Sequence, residues 1–141
     1  MVQGETGSRT FIVLGEPQGK GRHRMTRSGH TYTPKETVQY ENWIKLCYQE
    51  KYGDALMLEG EIMARIDAYY GIPKAMPKYK RVLVERDEIH PTKKPDADNI
   101  AKAILDSLNG IAYKDDAAIV QLHVYKHFSE QPFVEVTLKQ I

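Results

Sequence analysis

The sequence predicts an α+β fold: a single domain whose mixed β-sheet is flanked by helices. Three observations carry that reading. Segments with the two-residue period of strands and the 3.6-residue period of helices alternate as strand, helix, strand, helix, helix, strand, strand. The 141 residues suit one hydrophobic core, and 41% hydrophobic with 28% charged residues is globular usage. No internal repeat divides the chain, so residues 1–141 are expected as one domain with a flexible leader over residues 1–8.

Residues 9–14, with Phe11, Ile12 and Val13, read as the first strand. Gly15-Glu16-Pro17-Gln18-Gly19-Lys20-Gly21 must then be loop, because its glycines and proline defeat regular structure. The loop runs on, polar, basic and without period, to His30, a length that favours a functional role. Thr33-Pro34-Lys35-Glu36 reads as a capping box that opens a helix to about residue 51. That helix should bury Tyr40, Trp43, Ile44 and Cys47 and stop at Gly53.

Residues 60–70 alternate strictly, Ile62, Ala64, Ile66, Ala68 and Tyr70 against Glu61, Met63, Arg65, Asp67 and Tyr69, which predicts a half-buried strand. A turn at Pro73 and Pro77 precedes a short basic helix over 78–88, and His90 to Pro95 must be extended. Ala101, Ile104, Leu105 and Leu108 then follow helical spacing from near Asp98 to a stop at Asn109-Gly110. A strand over 118–128 alternates Val120, Leu122 and Val124 with Gln121, His123 and Tyr125, and a last strand spans 133–138.

Composition excludes several classes. One cysteine, Cys47, can form neither an internal disulfide nor a multi-cysteine zinc site. No apolar run approaches the roughly 18 residues of a membrane span, and no leader-like segment opens the chain, so a cytoplasmic protein is expected. The net charge of +1 hides a segregation. Residues 1–35 hold Arg9, Lys20, Arg22, Arg24, Arg27 and Lys35 against Glu5 and Glu16. Residues 74–94 hold seven basic residues, including Lys93 and Lys94, against three acidic ones. Asp96, Asp98, Asp106, Asp115 and Asp116 fall between 96 and 116. Cations flanking such a cluster suit a phosphate-handling metal enzyme, and solvated faces explain the same runs without chemistry.

At about 100° per residue, Asp98, Lys102 and Asp106 form a row along one border of the apolar stripe. Such a row can line a cleft. Asp98 as an N-cap with Lys102 as its i,i+4 partner explains the pattern equally well. Asp115-Asp116 adds a like-charged pair that is costly to bring near further carboxylates without a cation. Oxygen donors without cysteine, or histidine at zinc-ligand spacing, point to a hard ion such as Mg²⁺, and an ordinary turn is the alternative. His123 and His127 need only a solvent- or partner-facing strand, and Gly19-Lys20-Gly21 is not a P-loop.

The block from Lys94 to Asp116 resembles the RusA family of crossover-junction endodeoxyribonucleases. It contains Pro95-Asp96-Ala97-Asp98-Asn99, Lys102 four residues after the second aspartate, Asp106-Ser107-Leu108, and Asp115-Asp116 at the family's spacing. Gly15-Glu16-Pro17 followed by Lys20-Gly21-Arg22-His23-Arg24 resembles one branch of the family, although Pro17-Gln18-Gly19-Lys20 departs from its usual Pro-Pro and asparagine.

The resemblance implies a homodimeric, Mg²⁺-dependent nuclease, with Mn²⁺ as a substitute, that resolves four-way (Holliday) junctions by paired nicks. Such an enzyme serves recombination and repair, nucleoid-associated, in a bacterial or prophage setting. By position it implies Asp96, Asp98 and Asp116 as metal-binding carboxylates, joined by Asp115, and Lys102 as the essential lysine. Lys20, Arg22, Arg24, Arg27, Lys93 and Lys94 are the expected contacts to DNA phosphates. The competing expectations are a nuclease acting on forks or flaps, a catalytically silent DNA-binding relative, and an oligomerisation domain whose charged faces pair.

Overall fold

The structure is a computed structural model that describes residues 7–21 and 24–141; Arg22, one of the expected DNA contacts, lies outside the described residues with 1–6 and 23. In chain order it contains β1 (Ser8–Leu14), a short hairpin of β2 (Arg24–Met25) and β3 (Thr31–Tyr32), α1 (Lys35–Tyr52) and β4 (Ile62–Gly71). There follow α2 (Lys78–Glu85), α3 (Ala97–Ser107), a 3₁₀ turn (Asp116–Ala118), β5 (Ile119–Ser129) and β6 (Phe133–Gln140). The expected α+β order holds, with the hairpin and the 3₁₀ turn added. The basic loop is therefore not wholly irregular: Thr26 N donates to His30 O at 2.8 Å and closes the hairpin.

The four long strands form one sheet in the order β1-β6-β4-β5. β4 runs parallel to β5 and antiparallel to β6, and β6 is antiparallel to β1, so the sheet is mixed. The parallel pair follows from its connection, because a chain that passes through two helices between strands can return to the end where it began. Ile62, Ala64, Ile66, Ala68 and Tyr70 of β4 are buried, as their alternation predicts. They meet Val134, Val136 and Leu138 of β6, Phe11 and Val13 of β1, Ile44 and Tyr48 of α1, and Ile100 and Ile104 of α3 in one core.

Several expectations need correction. α1 buries Thr37, Tyr40, Ile44, Tyr48 and Tyr52 rather than Trp43 or Cys47. Trp43 is 40% exposed and donates its indole N–H to Leu14 O at 2.9 Å. Tyr48 and Tyr52 can take inner positions because their hydroxyls find partners at the core's edge: Tyr48 OH accepts from Arg9, and Tyr52 OH accepts from Thr10 N at 3.0 Å. Thr33 does not cap α1. The cap is Pro34, without a side-chain bond, and the nearby Thr37 hydroxyl is occupied in accepting from Gly21 N at 2.8 Å.

Val120 and Leu122 are about half exposed, because β5 is an edge strand and only its Ile119, Val124 and Phe128 pack against the core. Arg9, counted with the basic stretch, is buried and donates to Tyr48 OH and Leu56 O. Ser8 pairs with Lys139, so residue 8 belongs to the sheet rather than to a flexible leader.

Candidate active site

α3 sets out the site. Its buried face is Ile100, Ala101, Ala103, Ile104 and Leu105, which leaves Asp98, Lys102 and Asp106 along the border at four-residue spacing. Lys102 Nζ lies 3.9 Å from Asp106 Oδ2, with the lysine side chain 65% exposed. The N-cap is Asp96, not Asp98. Its backbone is extended, and its carboxylate makes no capping hydrogen bond. A helix start normally uses such a carboxylate to satisfy its own N–H groups, so α3 forgoes that local stabilisation and the Asp96 carboxylate stays exposed. Asp98 stands exposed in the first turn, where the helix dipole favours its charge. The segment entering α3 is anchored from the sheet, because Tyr70 OH donates to Pro95 O at 2.6 Å.

The loop after β1 forms the opposite wall of a cleft of about 670 Å³, lined by Gly19, Lys20 and Gly21 facing Lys94, Asp96, Asp98 and Lys102. Asn99 fastens the two walls: its Oδ1 accepts from Lys20 N at 3.1 Å and its Nδ2 donates to Lys20 O at 3.2 Å. Gly19 is required by that approach, since a Cβ there would lie 2.1 Å from Asn99 Nδ2. The role of Asn99 in the motif is thus mechanical. It was not legible in the sequence, where asparagine beside two aspartates reads as one more polar group.

Lys20 itself turns inward. Its Nζ lies 3.0 Å from Asp106 Oδ2 and 3.5 Å from Glu41 Oε2 of α1. Burial works against its charge, but the hydrogen bond to Asp106 and the nearby Glu41 carboxylate hold its pKa above the usual lysine value. The ammonium of this expected DNA contact is thus paired with two carboxylates of the acidic cluster, on the cleft lining.

Asp106 is the junction between the walls of the cleft and the Asp115-Asp116 turn. Gly110, at φ +75°, reverses the chain after α3, and Asn109 Oδ1 accepts from Asp116 N at 2.8 Å, bringing the aspartate pair back toward the helix. Asp115 caps the 3₁₀ turn by accepting from Ala117 N at 3.3 Å. Burial, then the charges of Asp106 and Asp115 and hydrogen bonds to both, raise the Asp116 pKa above the usual carboxylate range. Tyr113 lies buried near these carboxylates and donates to Leu105 O at 2.6 Å; burial and their charge push its phenol pKa up. Among the described residues, no three of the five aspartates gather their oxygens within 4.8 Å of one another.

A prediction follows from Asp116. Because its native pKa is raised, the ionised form costs native stability above the unfolded-state pKa, and the cost disappears where acid protonates both states. Asp116→Asn should therefore raise the Tm of metal-free protein at neutral pH, by a margin that shrinks on acidification through the carboxylate range. Thermal melts in EDTA across pH check this; an equal or lower Tm at neutral pH would remove the repulsion from the account.

The remaining expected DNA contacts fall in two places. Arg24 and Arg27 are exposed on the β2–β3 hairpin, and Lys94 stands on the cleft wall. Lys93 Nζ lies 5.9 Å from the Tyr70 ring centre, while its backbone O accepts from Lys126 Nζ at 2.7 Å. Replacing Arg24, Arg27 and Lys94 together with alanine should flatten the dependence of log Kd on log salt by about one unit for each phosphate that is no longer neutralised. Lys20→Ala should leave that slope unchanged. Binding measured across a salt series distinguishes the two sets.

A family model described as endodeoxyribonuclease RusA matches residues 15–139. The chain is also 33% identical over 136 residues to the uncharacterized protein YqaN of Bacillus subtilis (strain 168), an alignment that covers 93% of this chain and 95% of that one.

Proposed function

Since the chain belongs to the RusA endodeoxyribonuclease family, we propose that it is a Mg²⁺-dependent endodeoxyribonuclease that resolves four-way DNA junctions by paired nicks, acting as a homodimer in recombination and repair. One observation carries the reading beyond membership: Asp106 joins Lys20 and Lys102 to the crowded Asp115-Asp116 turn, beside a cleft lined by Asp96 and Asp98. No helix among the described residues is long and apolar enough to cross a membrane.

The donor set suits a divalent ion. All candidate ligands are carboxylates, the preference of hard cations, and burial together with the neighbouring Asp106 and Asp115 charges raises the pKa of Asp116, a carboxylate that a cation would relieve. Asp96, Asp98 and Asp116 would hold the ion, with Asp115 contributing the oxygen its capping role leaves over. When bound, such an ion supplies Lewis acidity at the scissile phosphate. Lys102, exposed at the cleft mouth, holds positive charge where the phosphorane develops, and Lys20 fixes Asp106 so that the row on α3 keeps its spacing. Arg24, Arg27 and Lys94 neutralise backbone phosphates, which gives affinity with little sequence readout. A two-fold dimer presents two such sites to a junction that is itself nearly two-fold.

The test is cleavage of a four-way junction, a replication fork, a flap and a linear duplex at equal concentration. The proposal predicts rapid paired nicking of the junction alone. Faster cleavage of forks or flaps would assign the same chemistry to another branched substrate, and binding without cleavage would make the chain a silent relative.

A further inference from the structure

A second cluster lies outside the acidic site, where the outer face of the sheet meets the connection between α2 and α3. His127 on β5 is opposite Tyr69 on β4 and shares its face with Asp67. Its Nε2 lies 2.8 Å from Asp67 Oδ1, and Tyr69 stacks on the imidazole with ring centres 4.6 Å apart. Asp67 is only 8% exposed and is itself gripped by Arg65, whose Nε lies 2.9 Å from Oδ2. Facing this ring, Asp87 leaves the end of α2 at φ +57°, a conformation uncommon outside glycine. His90 Nε2 lies 2.9 Å from Asp87 Oδ1. Asp87, His90 and His127 can each offer a donor atom within 4.8 Å of the other two, and among the described residues no other group of His, Cys, Asp or Glu does so.

We propose that Asp87, His90 and His127 form a binding site for a borderline divalent cation of the Zn²⁺ or Co²⁺ type, with Asp67 as the positioning residue behind His127. Two imidazoles and one carboxylate are the donor set of such ions rather than of Mg²⁺, which prefers oxygen alone. The site has the support that metal-binding histidines use: a buried carboxylate bonded to the ring fixes its orientation, and the stacked Tyr69 limits its rotation. His90 and Asp87 are 46% and 75% exposed at their side chains, so an ion can enter from solvent and retain water in its remaining positions.

The ion would add a further tie between the α2–α3 connection and the sheet, beside the bond from Tyr70 OH to Pro95 O. Asp87 and His90 belong to the connection that continues through Lys94 to Asp96, and His127 belongs to the sheet. The bond from Lys126 Nζ to Lys93 O is another such tether. An occupied site clamps the irregular segment leading into α3, so it stabilises the fold without supplying a ligand to the acidic cluster. It stands independently of the nuclease reading, because its readouts need no DNA.

The test uses tag-free, EDTA-stripped protein in excess Mg²⁺, titrated with Co²⁺ and followed by visible absorption, alongside thermal melts with Zn²⁺. One Co²⁺ per chain and a higher Tm with Zn²⁺ are expected. Both effects should be lost in the double variant His90→Gln/His127→Gln and kept in Asp96→Asn/Asp98→Asn. Asp67→Asn should weaken Co²⁺ about 10–100-fold. Should the double variant fail to fold, Asp87→Asn and His90→Gln, at exposed positions, replace it, each with Co²⁺ bound at least about tenfold more weakly. The proposal is overturned by absent saturable Co²⁺ binding, by binding that these variants leave intact, or by binding lost with the α3 aspartates instead.

Discussion

Asp98→Asn is expected to lower the single-turnover rate of junction cleavage by about 10³-fold or more, which at about 1.4 kcal/mol per factor of ten is roughly 4 kcal/mol of transition-state stabilisation. The substitution keeps the side chain's shape. Asp98 is exposed in the first turn of α3 and is not the helix cap, so the fold loses only a favourable charge at a helix start, about 0.3–1 kcal/mol. Removing one negative charge from the cleft should leave junction affinity unchanged or tighter when Mg²⁺ is absent. Loss of activity with retained binding and near-normal Tm would mark Asp98 as part of the machinery. A variant that cleaves at the wild-type rate would reduce Asp98 to the local electrostatic role that its helix position also allows.

Lys102→Ala should cost about 10²–10³-fold in turnover, the usual effect of deleting one preorganised charge at a transition state. Its contribution to folding is small: a mostly exposed i,i+4 contact at 3.9 Å to Asp106 is worth a few tenths of a kcal/mol. Junction affinity should therefore stay within about threefold of wild type, because one exposed lysine is only one of several phosphate contacts. The opposite pattern, weakened binding with an unchanged rate at saturation, would make Lys102 a phosphate anchor and leave the chemistry to other groups. Lys20, bonded on two sides, differs physically, and its replacement should disturb Asp106 rather than the salt dependence.

The periodic elements were legible because burial on one face imposes a period. The alternation over residues 60–70 and the apolar spacing of Ala101, Ile104, Leu105 and Leu108 each match a face that the structure buries. What escaped were features set by partners distant in the chain. Tyr48 and Tyr52 do continue the four-residue spacing of Tyr40 and Ile44, but Trp43 and Cys47 offer a more apolar neighbouring row. It is Arg9 and Thr10 of β1 that give the buried hydroxyls of Tyr48 and Tyr52 their partners. The exposed Val120 and Leu122 have the pattern of an inner strand, and only the sheet order puts β5 at an edge.

The site shows the same division. The row of Asp98, Lys102 and Asp106 follows from helix geometry alone, and its expected border position agrees with the buried face of α3. The inward turn of Lys20, the clamp from Asn99 and the convergence of Asp67, Asp87, His90 and His127 depend on partners as many as 86 positions apart, which no motif spacing encodes. A lysine in a basic run reads as exposed until a carboxylate is found facing it.

The claim on which the account rests is that these carboxylates serve metal-dependent hydrolysis of branched DNA. The most direct measurement is single-turnover cleavage of an intact four-way junction by the wild-type protein, with the nick positions mapped on all four strands, in Mg²⁺ and in EDTA. The account predicts two symmetrically placed nicks in Mg²⁺, leaving 5′-phosphates and ligatable products, and none in EDTA. Cleavage that persists in EDTA, or nicks scattered over the arms as in linear duplex, would contradict it.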